Sequence, residues 1–157
     1  MSDEPDPATV VADADVLAAD LLCGGAARDA LDHVRSHSWA TLVVSDPLLD
    51  DAHAVVAELA DADLADAWRE RISELGEFVE HPAGDHPGLA CAYHGNAAHL
   101  VTFDDDLRSV DANASLKKYV TTSVKSPDAF ARLFDPERLY PVVADGEYPG
   151  PDRDPRA

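Results

Sequence analysis

Short solid runs of apolar residues alternate along this chain with stretches whose apolar positions recur at helical spacing. Residues 9–13 (Thr-Val-Val-Ala-Asp) form an apolar run that ends on an acid, with a second acid at Asp15. Leu17, Leu21 and Leu22 continue at helical spacing until Gly24-Gly25 interrupts them. The spacing of Ala27, Ala30, Leu31 and Val34 predicts a helix over 26–37, and residues 39–44 read as a second buried strand. Ser45-Asp46-Pro47 then reads as a helix start: Ser as N-cap, Pro in the first turn, Asp near the positive end of the dipole. That helix runs over 48–59 with Leu48, Leu49, Ala52, Val55, Val56 and Leu59 inward. A further helix over 63–75 puts Leu64, Ala67, Trp68, Ile72 and Leu75 on one face, and Phe78-Val79 reads as a small strand.

Beyond a loop at 81–84, Asp85-His86-Pro87 opens another helix with Asp85 as N-cap, and Gly95-Asn96 closes it. Residues 100–103 (Leu-Val-Thr-Phe) read as a strand running straight into Asp104, Asp105 and Asp106. A short helix is expected over 114–119 and a strand over 120–124. Ser126-Pro127-Asp128 caps a final helix with Phe130, Leu133 and Phe134 inward. From Pro141 onward, Pro, Gly and charge predict a mobile tail. The alternation of strands and helices predicts an α/β fold with a parallel sheet flanked by helices. The domain occupies residues 9–139, between a flexible start at 1–8 and the tail at 140–157.

At 157 residues the chain suffices for one such domain. Its formal net charge is -19, from 31 acids against 12 bases, and only three of the bases are lysines. Such a surface repels nucleic acid at ordinary ionic strength, because phosphate contact relies on Lys and Arg. Disorder does not explain the acidity, since 46% of the residues are hydrophobic and fall in periodic segments. The Asp-rich, Lys-poor, Ala-rich composition resembles that of proteins from salt-loving archaea, where acidity serves solvation. Net charge says little about partners there, because the Debye length shrinks to about 3 Å at 1 M salt. Cys23 and Cys91 are too few for a disulfide framework and form no CxxC pair, so a reducing cytoplasm is the expected setting. The acidic start does not resemble a secretory signal, and no apolar run is long enough to cross a membrane.

In a parallel sheet, strand carboxyl ends and the helix starts that follow them share one edge. Asp13, Asp15, Asp51, Asp104 and Asp106 are expected there; Asp85 opens the helix before the Asp104 strand and by topology alone belongs at the opposite edge. Four or five carboxylates in one pocket need a cation, since like charges raise one another's pKa. Hard oxygen donors suit Mg²⁺ or Mn²⁺, which can activate water for phosphodiester hydrolysis. Zinc is disfavoured: no HExxH and no paired His or Cys spacing occurs. The plainer alternative is solvated acids in loops and on helix faces, as expected for Asp50 and Asp105. Trp39 and Trp68 are expected in the core.

Four segments carry a resemblance to a known family. Asp13-Ala14-Asp15-Val16-Leu17 resembles the opening Asp-Thr-Asn-Val-Leu of PIN-domain nucleases, and Ser45 to Asp51 resembles their segment with an acid six residues past Ser. Asp85, the Ala-rich helix it opens and Leu100-Val101-Thr102-Phe103-Asp104 resemble their third segment, and residues 123–130 their closing strand and helix. The resemblance implies a PIN-like three-layer α/β/α sandwich whose central, mainly parallel sheet has four or five strands. It also implies a divalent-metal-dependent endoribonuclease, with Asp13, Asp51, Asp85 and Asp104 as catalytic metal ligands and Asp106 as an auxiliary fifth. In that fold the Asp85 helix brings its acid to the cleft. An antitoxin or other protein partner and a homodimer are compatible with it. Three positions depart from the pattern: Ala14 replaces a small hydroxyl residue, Asp15 replaces Asn, and Asp51 replaces Glu, one methylene shorter. His86-Pro87 after Asp85 is also unusual; His86 has the chemistry to hold a carboxylate or contact phosphate.

RNA needs some positive surface, and Arg108, Lys117, Lys118, Lys125 and Arg132 all follow the acid triplet, forming the candidate phosphate-contact region. Other classes compete. A haloacid-dehalogenase-like phosphatase shares Asp13-x-Asp15, but Leu17 stands where its Thr belongs. A response-regulator receiver needs a phosphoacceptor Asp after the strand that here ends at Ser45. A catalytically silent PIN-like binding or scaffold protein retains the same acids.

Overall fold

In a computed structural model, which describes residues 6–82, 86–108 and 122–155, five parallel strands form one sheet flanked by helices. In chain order the elements are β1 (Asp6–Ala12), α1 (Ala14–Leu22), α2 (Gly25–Arg35), β2 (Thr41–Val44), α3 (Asp46–Leu59), α4 (Ala62–Leu75) and β3 (Glu77–Phe78). They continue with α5 (Pro87–His94), β4 (Ala97–Val101), α6 (Asp105–Arg108), β5 (Ser123–Lys125), α7 (Pro127–Leu133) and α8 (Pro136–Val143). The expected α/β/α sandwich is therefore present. The short helix read at 114–119 lies outside the described residues. No helix among those described is long and apolar enough to cross a membrane.

Strand order is β3-β2-β1-β4-β5. β1 lies at the centre because its run of Val10, Val11 and Ala12 is apolar on both faces, as a strand covered by helices on both sides must be. Its register pairs Val10 with Leu42 of β2 and Ala12 with Val101 of β4. The chain leaves β1 toward β2 and β3, then returns to the other side for β4 and β5. Between β1 and β4 the winding reverses, and in open α/β sheets that switch point leaves a crevice at the strand carboxyl ends.

Several boundaries differ from the sequence reading. β1 begins at Asp6, where Asp6 N donates to Asn96 O at 2.9 Å, so residues 6–8 of the expected flexible start already belong to the sheet. β4 ends at Val101, Thr102 N still donating to Lys125 O of β5 at 2.9 Å, and Phe103 leaves the ladder. Asn96, with φ 54°, supplies the left-handed residue that closes α5. On α3 the expected inward Val55 is 37% exposed and Leu59 71% exposed, since the end of that helix runs past the body it covers. On α4, Ala65 is buried in place of Leu64 and Ala67.

The segment read as a mobile tail is instead fastened. Residues 136–143 form α8, and Tyr140 lies edge-on to Trp39, ring centroids 5.6 Å apart. Further on, Tyr148 Oη lies 2.6 Å from Nε2 of the buried His37, whose Nδ1 lies 2.6 Å from His33 O. The ring proton therefore sits on Nδ1, and Nε2 accepts from the tyrosine. Asp152 N donates to Ser36 O at 2.9 Å, and Arg153 Nη2 donates to Val34 O and His37 O at 3.1 and 2.9 Å. Polar composition suggested mobility, but the polar groups of this strap satisfy the open carbonyls at the end of α2.

Candidate functional site

Asp13 is the first residue beyond β1. Its backbone N extends the ladder, donating to Val101 O at 2.9 Å, and its carbonyl accepts the first helical bonds of α1. Its side chain is buried and caps that helix, Oδ1 accepting from Ala14 N at 2.9 Å. The other carboxylate oxygen, Oδ2, accepts from Thr102 Oγ1 at 2.9 Å. The fully buried Thr102 in turn accepts from Asp104 N at 3.1 Å, a tight turn that takes the chain out of the sheet after Thr102. Asp15 completes the stitch, its Oδ2 accepting from Phe103 N at 3.2 Å.

These bonds bring Asp13, Asp15 and Asp104 to the switch-point crevice. Burial first, then the negative charges of Asp13 and Asp104, push the Asp15 carboxyl above its ordinary value. Backbone hydrogen bonds from Val16 and Phe103 only partly offset this.

α5 closes the crevice from the other side. A Cβ on Gly88 would lie 3.1 Å from Asp13 Oδ1, so the helix reaches the carboxylate because that residue is glycine. His86 caps α5, its Nδ1 accepting from Leu89 N at 3.3 Å, which leaves the proton on Nε2, 3.8 Å from Asp13 Oδ2. A second polar line runs beneath. Ser45, buried at the end of β2, lies 2.8 Å from His81 Nε2 and accepts from Leu48 N at 3.2 Å. His81 Nδ1 donates to Pro82 O at 3.0 Å, so Nε2 accepts the Ser45 hydroxyl proton. The Cys91 thiol bonds Ser45, and burial together with the charge of Asp13 holds it protonated above its usual range.

Of the residues singled out in the sequence, Asp13 and Asp104 meet at this edge. Asp51 lies exposed on α3, held by no hydrogen bond or ion pair among the described residues, while its neighbours Asp46 and Asp50 pair with Arg69 of α4. Asp85, Lys117 and Lys118 lie outside the described residues, as do the side chains of Asp106 and Arg108 on α6. Lys125 is described and turns into the sheet, its Nζ 3.2 Å from His99 Nδ1 and 2.8 Å from Ser123 Oγ. Burial lowers its pKa, and burial plus this ammonium drives His99 down to about 4. Thr102, Gly88 and Ser45 escaped the sequence reading as site residues. Thr102 reads as one more β-branched strand residue, and Ser45 as a helix cap, which it also is.

Among the described residues, no three His, Cys, Asp or Glu side chains converge tightly enough to hold an ion. The donor chemistry nonetheless suits a hard cation: each oxygen of Asp13 accepts one proton and keeps a lone pair, and the repulsion that raises Asp15 is what a divalent ion relieves. Residues 4–156 match a family described as "Family of unknown function (DUF7384)", and the chain belongs to it. No curated protein and no solved structure matches the chain.

Proposed function

We propose that this DUF7384 protein is a divalent-metal-dependent endoribonuclease of PIN type, acting in the cytoplasm on RNA in concentrated salt. The observation that carries the reading is the meeting of Asp13, Asp15 and Asp104 at the reversal of strand order, with the Asp15 carboxyl raised by burial first and by its acidic neighbours second. Mg²⁺ or Mn²⁺ bound at this edge supplies the positive charge a phosphodiester needs to approach the acids, and acidifies water. Asp13 and Asp104 would hold the ion, joined in this reading by Asp85 and the auxiliary Asp106, while Asp51, exposed on α3, would reach it only by turning toward the edge. Thr102 fixes the rotamer of Asp13 by donating to Oδ2, leaving Oδ1 toward α5. The Nε2–H of His86, on the Asp13 side of the crevice, is placed to donate to a phosphate oxygen. Lys117, Lys118 and Arg108 are the proposed phosphate contacts along the strand, Lys125 being turned onto His99 and Ser123 instead; an antitoxin-like protein and a second copy of the chain are the proposed partners.

Cleavage of end-labelled RNA in high salt tests this, with Mn²⁺ or EDTA present and wild type set against Asp13→Asn and Asp104→Asn. Metal-dependent cleavage that both substitutions abolish is the expected result. Metal-independent cleavage, or full activity in both variants, sinks the mechanism. The exposure of Asp51 favours a second reading, a scaffold that kept the fold without the chemistry. Calorimetric titration separates the two, since the scaffold takes up no Mn²⁺.

A further inference from the structure

Away from the acid edge, the end of α1, helices α2 and α4 and the strap at 153–155 enclose a cavity of about 690 Å³. Small-molecule sites commonly measure roughly 300–1,000 Å³. Trp68, Ile72 and Leu75 of α4 give the cavity an apolar floor. Its wall is far richer in arginine than the rest of this acidic chain: Arg28, Arg35, Arg71 and Arg153, four of the chain's nine arginines, line it. We propose that this cavity is a binding site for a small organic anion, a single carboxylate or phosphate head on an apolar body.

How each guanidinium is bonded decides what it can offer a ligand, since Asp20, Glu74 and Asp154 also line the cavity and Asp32 stands behind Arg35. Arg35 is neutralised, bonding both oxygens of Asp20 at 2.7 Å and Asp32 at 2.7 Å. Arg28 and Arg153 are bonded differently. Arg28 donates to the carbonyls of Asp20 and Leu21 at the end of α1, at 2.8 and 3.3 Å through Nη2. Arg153 donates through Nη2 to the Val34 and His37 carbonyls at the end of α2. A carbonyl satisfies a donor but carries no formal charge, so Arg28 is positioned while its positive charge stays available, whereas Arg153 is positioned and shares its charge with the adjacent Asp152 carboxylate. Fixed guanidinium forks of this kind favour carboxylate and phosphate oxygens.

The strap completes the wall. Asp152 takes both the backbone N–H and the hydroxyl of Ser38, which places Arg153 next to it over the cavity. No cavity-lining residue belongs to the acid edge, so the site stands independently of the nuclease reading.

Fluorescence titration of the full-length protein with 8-anilinonaphthalene-1-sulfonate, read by energy transfer from tryptophan, tests the site. The uncharged N-phenyl-1-naphthylamine is the comparison. Saturable binding of one sulfonate per chain is expected, with the uncharged dye about tenfold weaker, as for one lost charge-assisted hydrogen bond. Arg153→Gln and the cavity-filling Ala67→Trp, at an exposed position that disturbs no core contact, are each expected to weaken the sulfonate about tenfold. Arg138→Gln, on the exposed face of α8, leaves it unchanged. Competition by benzoate or by phenyl phosphate identifies the head group. Equal affinity in both cavity variants, with circular dichroism showing them folded, overturns the proposal; so does failure of both competitors.

Discussion

Thr102 donates its hydroxyl proton to Asp13 Oδ2 at 2.9 Å across 89 residues of chain, and Thr102 Oγ1 itself accepts the backbone N–H of Asp104 at 3.1 Å. One buried hydroxyl thereby sets both the rotamer of the first acid and the turn that presents the second.

Thr102→Val keeps the shape and removes the hydroxyl. It leaves a buried carboxylate oxygen short of a donor and the Asp104 N–H short of its acceptor, so a loss of about 1–3 kcal/mol is expected in chemical denaturation. Thr102→Ser restores most of it. If the acids act as proposed, the valine variant also loses RNA cleavage, while its denaturation midpoint shows that it still folds.

Asp15 gives a stability effect of the opposite sign. Its folded-state pKa is raised above 3.8, so the folded protein binds that proton more tightly than the unfolded chain, and stability falls as pH rises from 3.8 through the raised value. Asp15→Asn, which retains an acceptor for Phe103 N, is expected to be more stable than wild type at pH 7 and to lose that advantage below pH 3.8. Addition of Mn²⁺ should narrow the gap at neutral pH, because a cation relieves the same repulsion. Thermal melts over pH, with and without metal, measure both.

His99 acts through burial. Its ring, bonded to Pro7 and facing the Lys125 ammonium, has a pKa lowered from 6.5 to about 4. The folded state therefore holds it neutral where the unfolded chain is already protonated. Its contribution is complete above pH 6.5 and is lost progressively as pH falls toward 4, a change of about 3 kcal/mol. His99→Gln should flatten the denaturation midpoint over that window; an unchanged slope would refute the assignment.

The strap at 148–153 is expected to contribute to stability. Tyr148→Phe removes the donor to Nε2 of buried His37 and should cost about 1 kcal/mol. Limited proteolysis is the second measure: the variant should be cut in this segment faster than wild type.

How much was legible from the chain differs between fold and site. β1, β2 and α1 to α4 all announce themselves, because each buries one face or both and the apolar spacing records that burial directly. Asp13 and Asp104 are legible for the same reason, as acids at the ends of apolar runs. The strap was misread, since His37, Ser38, Tyr148 and Asp152 are polar residues that meet over more than a hundred positions, and composition cannot distinguish a polar group facing water from one facing a carbonyl.

By itself the sequence determined the α/β class, the order of elements and which acids follow strands, all of which depend on neighbours a few residues away. Tertiary structure decided that β1 is central with β4 beside it, so that the acids after these two strands meet through Thr102 while Asp51 stays exposed on α3. It also decided that four arginines from two helices and a strap face one cavity. Strand order and helix rotation are set by pairing and packing between distant segments, and periodicity records only that a side chain is buried, not against what.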